Sequence, residues 1–434
     1  MASRLDRLEF ADDMFLRLHR GAGSPAVNQF VWRLPGAYDP RSLHAFGEAL
    51  SRGALHRRVA RTPVPLARDR WAPAAVPAVV RVQREAVPVD GVIDWMEAQA
   101  ALDVDPHRGT AWALSAAPAD DGSIVSLTAT HAAADGAALL EAIRRAAAGD
   151  APAPPAPLPP IGALMADDVR DAAAQVRAIA QWARSRRGAA PEPARAALTP
   201  LTDEPPLPAE WRVPIAVAEI ATADAEAVAA ARGGTLNSWF VALTARISAA
   251  SGRVAPGDHV PVALPVSTRR DRDDRRANTT DIARADIDPE TLAARDLGRV
   301  RALCKQAYVE LAAAPPPPVP LAALQMLPDA VVKRLPQPPT ATLLASNVGL
   351  FPDVARSAFG PEATAITGLA HQIGANAEAI DAAGAGIYAW TTQSGPRLTV
   401  TLAACDPRRI TDRTALHRLL QDELAAWDLT ARLW

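Results

Sequence analysis

The chain has 434 residues and a formal net charge of -2 at pH 7. That length exceeds one ordinary hydrophobic core, so two lobes are expected. The near-neutral balance also lacks the basic footprint of a nucleic-acid partner. All but two of the 46 basic residues are arginine, the bias of a GC-rich genome, so abundant Ala and Pro are not read as helix or disorder.

Cys304 and Cys405 are the only cysteines and sit in no metal or redox motif, which fits a reducing cytosol. The segment Met1–Arg7 lacks the apolar core of a signal peptide. No stretch approaches the ~18 apolar residues that span a bilayer. A cytoplasmic protein is expected, with any membrane contact peripheral.

In chain order, residues 1–150 read as a mixed α and β lobe. Asn28–Leu34 alternates like a strand, and Ser42–Leu50 places Leu43, Phe46 and Leu50 at helical spacing. Ala111–Leu114 and Ile124–Leu127 flank Asp120-Asp121-Gly122, a hairpin signal in which glycine supplies a positive φ. Residues 149–161 carry six prolines and 188–210 hold a second cluster. Between them Val169, Ala173, Val176, Ile179 and Ala183 predict an amphipathic helix docked on the surface. Residues 151–210 thus read as a connection between lobes.

The second lobe, 211–434, opens with a strand over Trp211–Ile220. Thr235–Ser238 starts a helix with Leu236, Phe240, Leu243 and Ile247 on one face. Val260–Ser267 is a proline-interrupted apolar run, and Arg269–Arg276 is a charge run expected to be mostly a solvated loop. Pro315–Pro318 is stiff punctuation. A strand over Ala341–Ala345 ends in Ser346-Asn347-Val348-Gly349, two strands surround Ser394-Gly395-Pro396, and a helix over Leu416–Leu424 closes the chain. There is no internal repeat.

Chemistry concentrates in His131-Ala132-Ala133-Ala134-Asp135-Gly136, between the strand-like Ser123–Thr130 and the helical Ala137–Arg144. Histidine titrates near neutral pH, and a strand end holds it rigidly, so His131 suits proton transfer. Other readings stand beside this one. Asp135 is a good helix N-cap without any catalysis. His131 could be an ordinary partly buried histidine. The two at i,i+4 could bind metal, but no third ligand lies at useful spacing.

With these motifs in order, the chain resembles the chloramphenicol-acetyltransferase-like superfamily. That group includes wax ester synthase/diacylglycerol acyltransferases, polyketide-lipid acyltransferases and condensation domains. Its His-His-x-x-x-Asp-Gly motif reads Thr130-His131-Ala132-Ala133-Ala134-Asp135-Gly136, with threonine replacing the first histidine. Arg108–Trp112 resembles the family's Arg-Gly-Pro-Leu-Trp. Gly234–Ser238, Leu264–Arg269 and Ser346–Gly349 resemble the wax ester synthase branch's Ala-Thr-Val-Asn-Asp, Pro-Val-Ser-x-Arg and Ser-Asn-Val-Pro-Gly.

The resemblance implies an α/β, α+β mixed fold of two lobes around a central tunnel, with His131 at its middle. An acyl thioester, of CoA or of an acyl or peptidyl carrier protein, would be a co-substrate, and no further cofactor or metal is implied. An alcohol or amine would be the acceptor. His131 would be the base, Asp135 would pair with an arginine for which Arg269 is the candidate, and Gly136 would allow close approach to the reacting centre. Asn347, with Ser346 beside it, would hold substrate or the developing oxyanion. Against these roles, Arg269 could belong to the solvated run, Asn347 could shape a turn, and Ser346, His107 and His371 could be structural.

An ester-forming acyltransferase is the leading expectation. A free-standing condensation-type enzyme of specialised metabolism, and an inactive homologue that recruits carrier proteins, are the alternatives. Serine-hydrolase and nucleotide-binding readings have no support: Gly-x-Ser-x-Gly, the phosphate-loop Gly-Lys-Ser/Thr and Gly-x-Gly-x-x-Gly are absent.

Overall fold

A computed structural model describes residues 6–22, 24–77, 79–150, 155–185, 204–315, 321–332 and 341–434. The first part runs α1 (Phe10–Ala22), β1 (Ala26–Leu34), α2 (Pro40–Arg52), β2 (Arg57–Ala60), β3 (Arg70–Pro73), β4 (Val79–Val82), α3 (Val92–Ala100), β5 (Trp112–Ala119), β6 (Gly122–Thr130), α4 (Gly136–Ala148) and α5 (Ile161–Ser185). The second continues β7 (Ile215–Ala221), α6 (Thr222–Ala231), α7 (Leu236–Ala250), β8 (Val260–Ser267), β9 (Thr280–Ile287), α8 (Pro289–Ala294), α9 (Leu297–Ala313), α10 (Leu321–Met326), α11 (Asp329–Val332) and β10 (Leu343–Leu350). It ends α12 (Asp353–Arg356), β11 (Ala365–Gln372), α13 (Ala377–Ala383), β12 (Ile387–Ser394), β13 (Arg397–Ala404), α14 (Arg413–Ala426) and β14 (Ala431–Leu433).

Two sheets organise these elements. One has the order β11-β1-β6-β5-β4, the other β14-β7-β13-β12-β10-β8-β9. Each carries its own core. Trp32, Phe46, Phe351 and Phe359 fill the first, with Trp32 and Phe359 edge-on at 5.2 Å. The second is built around α7, whose Trp239–Ala245 stretch is buried on every side rather than on one face. A third cluster joins the sheets, with Val31 and Ile124 of the first meeting Val217 and Ala403 of the second. Polar contacts cross there too: Thr399 Oγ1 donates to Ile366 O at 2.9 Å, and the Thr367 and Thr401 hydroxyls hydrogen-bond.

The two lobes are interleaved. β11 comes from the second half of the chain yet pairs along β1, from Ala26↔Gln372 to Arg33↔Ala365. Phe351 and Phe359 likewise pack into the first lobe's core. The expected strand at 28–34, helix at 42–50, two strands around Ser394-Gly395-Pro396 and closing helix at 416–424 are present, and the proline-interrupted run 260–267 is itself a strand. Pro261 and Pro265 leave β8 a full ladder to β9, while its pairing with β10 is confined to Val262 and Ala263, since proline supplies no ladder donor. The proline-rich stretches at 151–154, 186–203 and 316–318 lie outside the described residues.

Two expectations are corrected. Ala119 pairs with Gly122, so the hairpin turn is Asp120-Asp121 and the glycine sits beside it. Gly122 does take the expected positive φ, 144°, and a Cβ there would also strike the Leu34 carbonyl, so both the conformation and the close approach to β1 demand glycine. The second correction concerns α5. The face expected to dock turns outward, with Val169 56 % and Val176 47 % exposed. The helix is held by its acidic face: Asp168 pairs with Arg7 at 2.7 Å and with Arg70, and Asp171 pairs with Arg68 at 2.8 Å. Arg70 is buried beneath the helix, and a buried guanidinium needs a carboxylate more than the valines need cover.

Candidate functional site

His131 immediately follows β6, and its N–H donates to Ala26 O at 2.9 Å, which ties the residue to the start of β1. Ala132, Ala133 and Ala134 are all buried, and Ala134 borders a cavity. The loop's carbonyls are held by side chains from elsewhere. Asn28 Nδ2 donates to Ala134 O at 2.8 Å, and Arg57 donates to Ala133 O. Arg57 is itself buried over the Trp71 ring, and burial lowers its pKa to about 10.

The imidazole of His131 stacks on Phe15 of α1, with ring centroids 3.9 Å apart and 23° between planes. Its Nδ1 lies 3.1 Å from Asn278 Oδ1. Asn278, in the loop before β9, decides which ring nitrogen carries the proton. Its Nδ2 faces three oxygens: Asp12 Oδ1 at 2.9 Å, His131 O at 2.9 Å and Ala132 O at 3.1 Å. Only a donor fits there, so the amide cannot be turned over. Asn278 Oδ1 therefore accepts from His131 Nδ1, and Nε2 keeps the lone pair. Burial pushes the His131 pKa below the usual imidazole value, opposed by the Asp135 charge and the Asn278 hydrogen bond. The neutral form is the one held at neutral pH.

Asp12 anchors this arrangement from behind. It is 1 % exposed and accepts from Trp71 Nε1 at 3.1 Å and from Glu9 N–H at 3.0 Å. Burial raises its carboxyl to about 6, against the hydrogen bond from Asn278 and the charge of Arg57, which favour the carboxylate.

Asp135 is both cap and ion-pair partner. One oxygen accepts from Ala138 N–H at 2.8 Å, the first-turn bond of α4, and from Arg269 Nη2 at 2.8 Å. The other accepts from Thr279 N–H at 2.8 Å and Thr280 Oγ1 at 3.2 Å. Arg269 also donates to the carbonyls of Asp274, Arg276 and Ala277, so it organises its own loop rather than joining the solvated charge run. The Asp135 carboxylate is thus turned into the protein. Among the described residues no group of three or more His, Cys, Asp or Glu could hold a metal ion.

Gly136 opens α4, and a Cβ there would meet nothing within 4 Å. The protein's own packing does not require this glycine. Ser346 and Asn347 stand apart from the motif. Asn347 Nδ2 donates to Asn237 Oδ1 at 3.0 Å, and its Oδ1 accepts from Gly349 N–H at 2.8 Å across a bulge in β10. Two of the resemblance motifs, Gly234–Ser238 and Ser346–Gly349, therefore meet. Among the described residues neither Ser346 nor Asn347 hydrogen-bonds to His131, Asp135 or Arg269. A cavity of about 400 Å³ approaches the motif from α2 and α4, lined by Leu50, Leu55, Arg57, Ala134 and Arg269 but not by His131. His371 Nε2 donates to Gln29 Oε1 at 2.9 Å, and burial lowers its pKa to about 4; His107 lies beside Arg20.

The sequence reading missed Phe15, Asp12, Arg57 and Asn278. Only Asn278 had a usable signal, since it lies between the arginine run and the next strand.

No protein-family model matches the chain, and no curated protein matches it. Solved structures do. The condensation domain of the Monacolin K polyketide synthase MokA matches with TM-score 0.60 at 10% identity, over 98% of this chain and 96% of that one. The first condensation domain of the CDA synthetase matches with TM-score 0.57 at 15% identity over 100% of both chains. The wax ester synthase/diacylglycerol acyltransferase from Marinobacter aquaeolei VT8 matches with TM-score 0.54 at 13% identity, over 97% and 98%. The chain has the two-lobed, chloramphenicol-acetyltransferase-like fold of condensation domains and CoA-dependent acyltransferases.

Proposed function

We propose that this protein is an acyltransferase that moves an acyl group from a thioester to an alcohol, with His131 Nε2 as general base. The observation that carries the reading is a neutral imidazole at a rigid strand end, its Nδ1 proton engaged by Asn278 and its Nε2 left as the acceptor. The acceptor hydroxyl oxygen attacks the thioester carbonyl as its proton passes to Nε2. The tetrahedral intermediate then collapses, the C–S bond breaks, and the imidazolium returns the proton to the leaving thiolate. Asp135 and Arg269 hold the loop that carries His131. Open space at Gly136 leaves room for substrate, and Asn347 is the candidate polar group from the second lobe.

The acyl donor is read as acyl-CoA or a carrier-protein thioester. A second reading has support in the similarity to condensation domains: both substrates are carrier-bound and the acceptor is an amine, which gives an amide by the same proton route. Thiol release from a panel of acyl-CoAs and acyl-carrier proteins, with and without alcohol and amine acceptors, tests both. Acceptor-dependent thiol release that is lost in His131→Ala supports the reading. No release with any donor and acceptor class would leave the inactive, carrier-recruiting alternative in its place.

A further inference from the structure

The outward face of α5 is unusual for a helix on a globular protein. Ile161 is 67 % exposed, Met165 47 %, Val169 56 % and Val176 47 %. Steps of four, four and seven residues keep these side chains on one line along the helix. Arg170, Arg177 and Arg184, seven residues apart, are exposed along one edge of that line. The carboxylates turn inward: Asp167 and Asp168 pair with Arg7, Asp168 also with Arg70, and Asp171 with Arg68, while Asp167 also lies 3.6 Å from Arg170. Amphipathic helices normally bury their apolar face against the core. Here the polar face is anchored and the apolar face is presented.

We propose that α5 is a peripheral docking helix that lays its Ile161–Val176 stripe on an anionic lipid surface. An apolar line bordered by arginines is the pattern of a helix lying in the membrane interface, with the aliphatic side chains below the headgroups and the guanidinium groups among them. The length suits this, since 25 residues extend about 37 Å. Two more exposed leucines lie near the helix: Leu66 in the β2–β3 loop that carries Arg68, and Leu321 on α10, which packs against α5. A protein partner is less well matched, because the stripe of Ile161, Met165, Val169 and Val176 offers no aromatic anchor.

The test is flotation of the whole protein with vesicles of phosphatidylcholine alone or mixed equally with phosphatidylglycerol. The protein should float with the anionic vesicles, less so as salt rises, and not with the neutral ones. The triple variant Arg170→Gln/Arg177→Gln/Arg184→Gln should lose about fivefold in partitioning per arginine. Val169→Asp/Val176→Asp should lose at least about tenfold while keeping the wild-type circular dichroism, since both side chains are exposed. The proposal is overturned if the wild type ignores anionic vesicles, or if it floats equally well with these substitutions. It is also overturned if the stripe instead mediates self-association or carrier-protein capture that the same substitutions abolish.

Discussion

Asp135→Ala is the most informative perturbation, because the carboxylate has two structural duties at once. It is 1 % exposed and receives charged or neutral donors from Ala138, Arg269, Thr279 and Thr280. Losing the helix cap alone should cost about 1 kcal/mol. Losing one member of a buried ion pair should cost about 3–5 kcal/mol, because Arg269 is left without its counter-charge. These overlap, so about 4 kcal/mol is expected for the single substitution. Arg269→Ala should cost a similar amount, and the double variant should cost well under the sum. A coupling of about 1.5–3 kcal/mol is expected from a double-mutant cycle. Denaturation of a two-lobed chain need not be two-state, so hydrogen exchange of the segments 132–140 and 276–281 should accompany it. Both segments should lose protection together. Additive effects within about 0.5 kcal/mol would refute the pairing as an energetic unit. A fully stable Asp135→Ala protein that has lost only turnover would refute the structural assignment and point to direct chemistry by the carboxylate.

The other predictions follow from the same network. His131→Ala should slow acyl transfer by about 10²–10⁴-fold with the fold intact, and near-wild-type turnover in single-turnover assays would exclude it as base. If His131 is the base, its depressed pKa should keep the reaction running below the ordinary imidazole value. As pH falls, unfolded chains take up that proton first. Stability should therefore fall from about pH 6.5 down to the folded-state pKa, which ring-resonance titration will locate. Asp12, raised to about 6, works in the opposite sense: folded protein protonates before the unfolded chain, so its contribution to stability rises as pH falls from about 6 toward 3.9. Asp12→Asn presents an amide to Asn278 where an acceptor stood; imidazole ¹⁵N shifts of His131 should move and the rate should drop about tenfold, whereas unchanged shifts would sever Asp12 from the site. Asn347→Ala should change stability by less than about 0.5 kcal/mol. If it stabilises the oxyanion, kcat should fall about 10²–10³-fold, and an unchanged kcat removes it from the chemistry.

Local pattern was enough for much of this protein. Alternation along 28–34, helical spacing at 42–50, and the strand–motif–helix order around His131 are properties of neighbouring residues, and the chain carries them in its own periodicity. Asp135 as a helix cap is legible for the same reason, since the capped N–H is three residues away. Arg269 was nameable as its partner only through resemblance, because the pair spans 134 residues. Tertiary structure alone decided the rest. Asp12, His131 and Asn278 come from three distant segments, and nothing local marks an asparagine whose amide must face three oxygens. β11 joins β1 across most of the chain, so no division at a linker can describe the first sheet. The helix α5 is the sharpest case. Its periodicity correctly predicts a helix and two faces, but which face turns inward depends on Arg7, Arg68 and Arg70, of which buried Arg70 most needs a carboxylate, a demand that outweighs cover for a few valines.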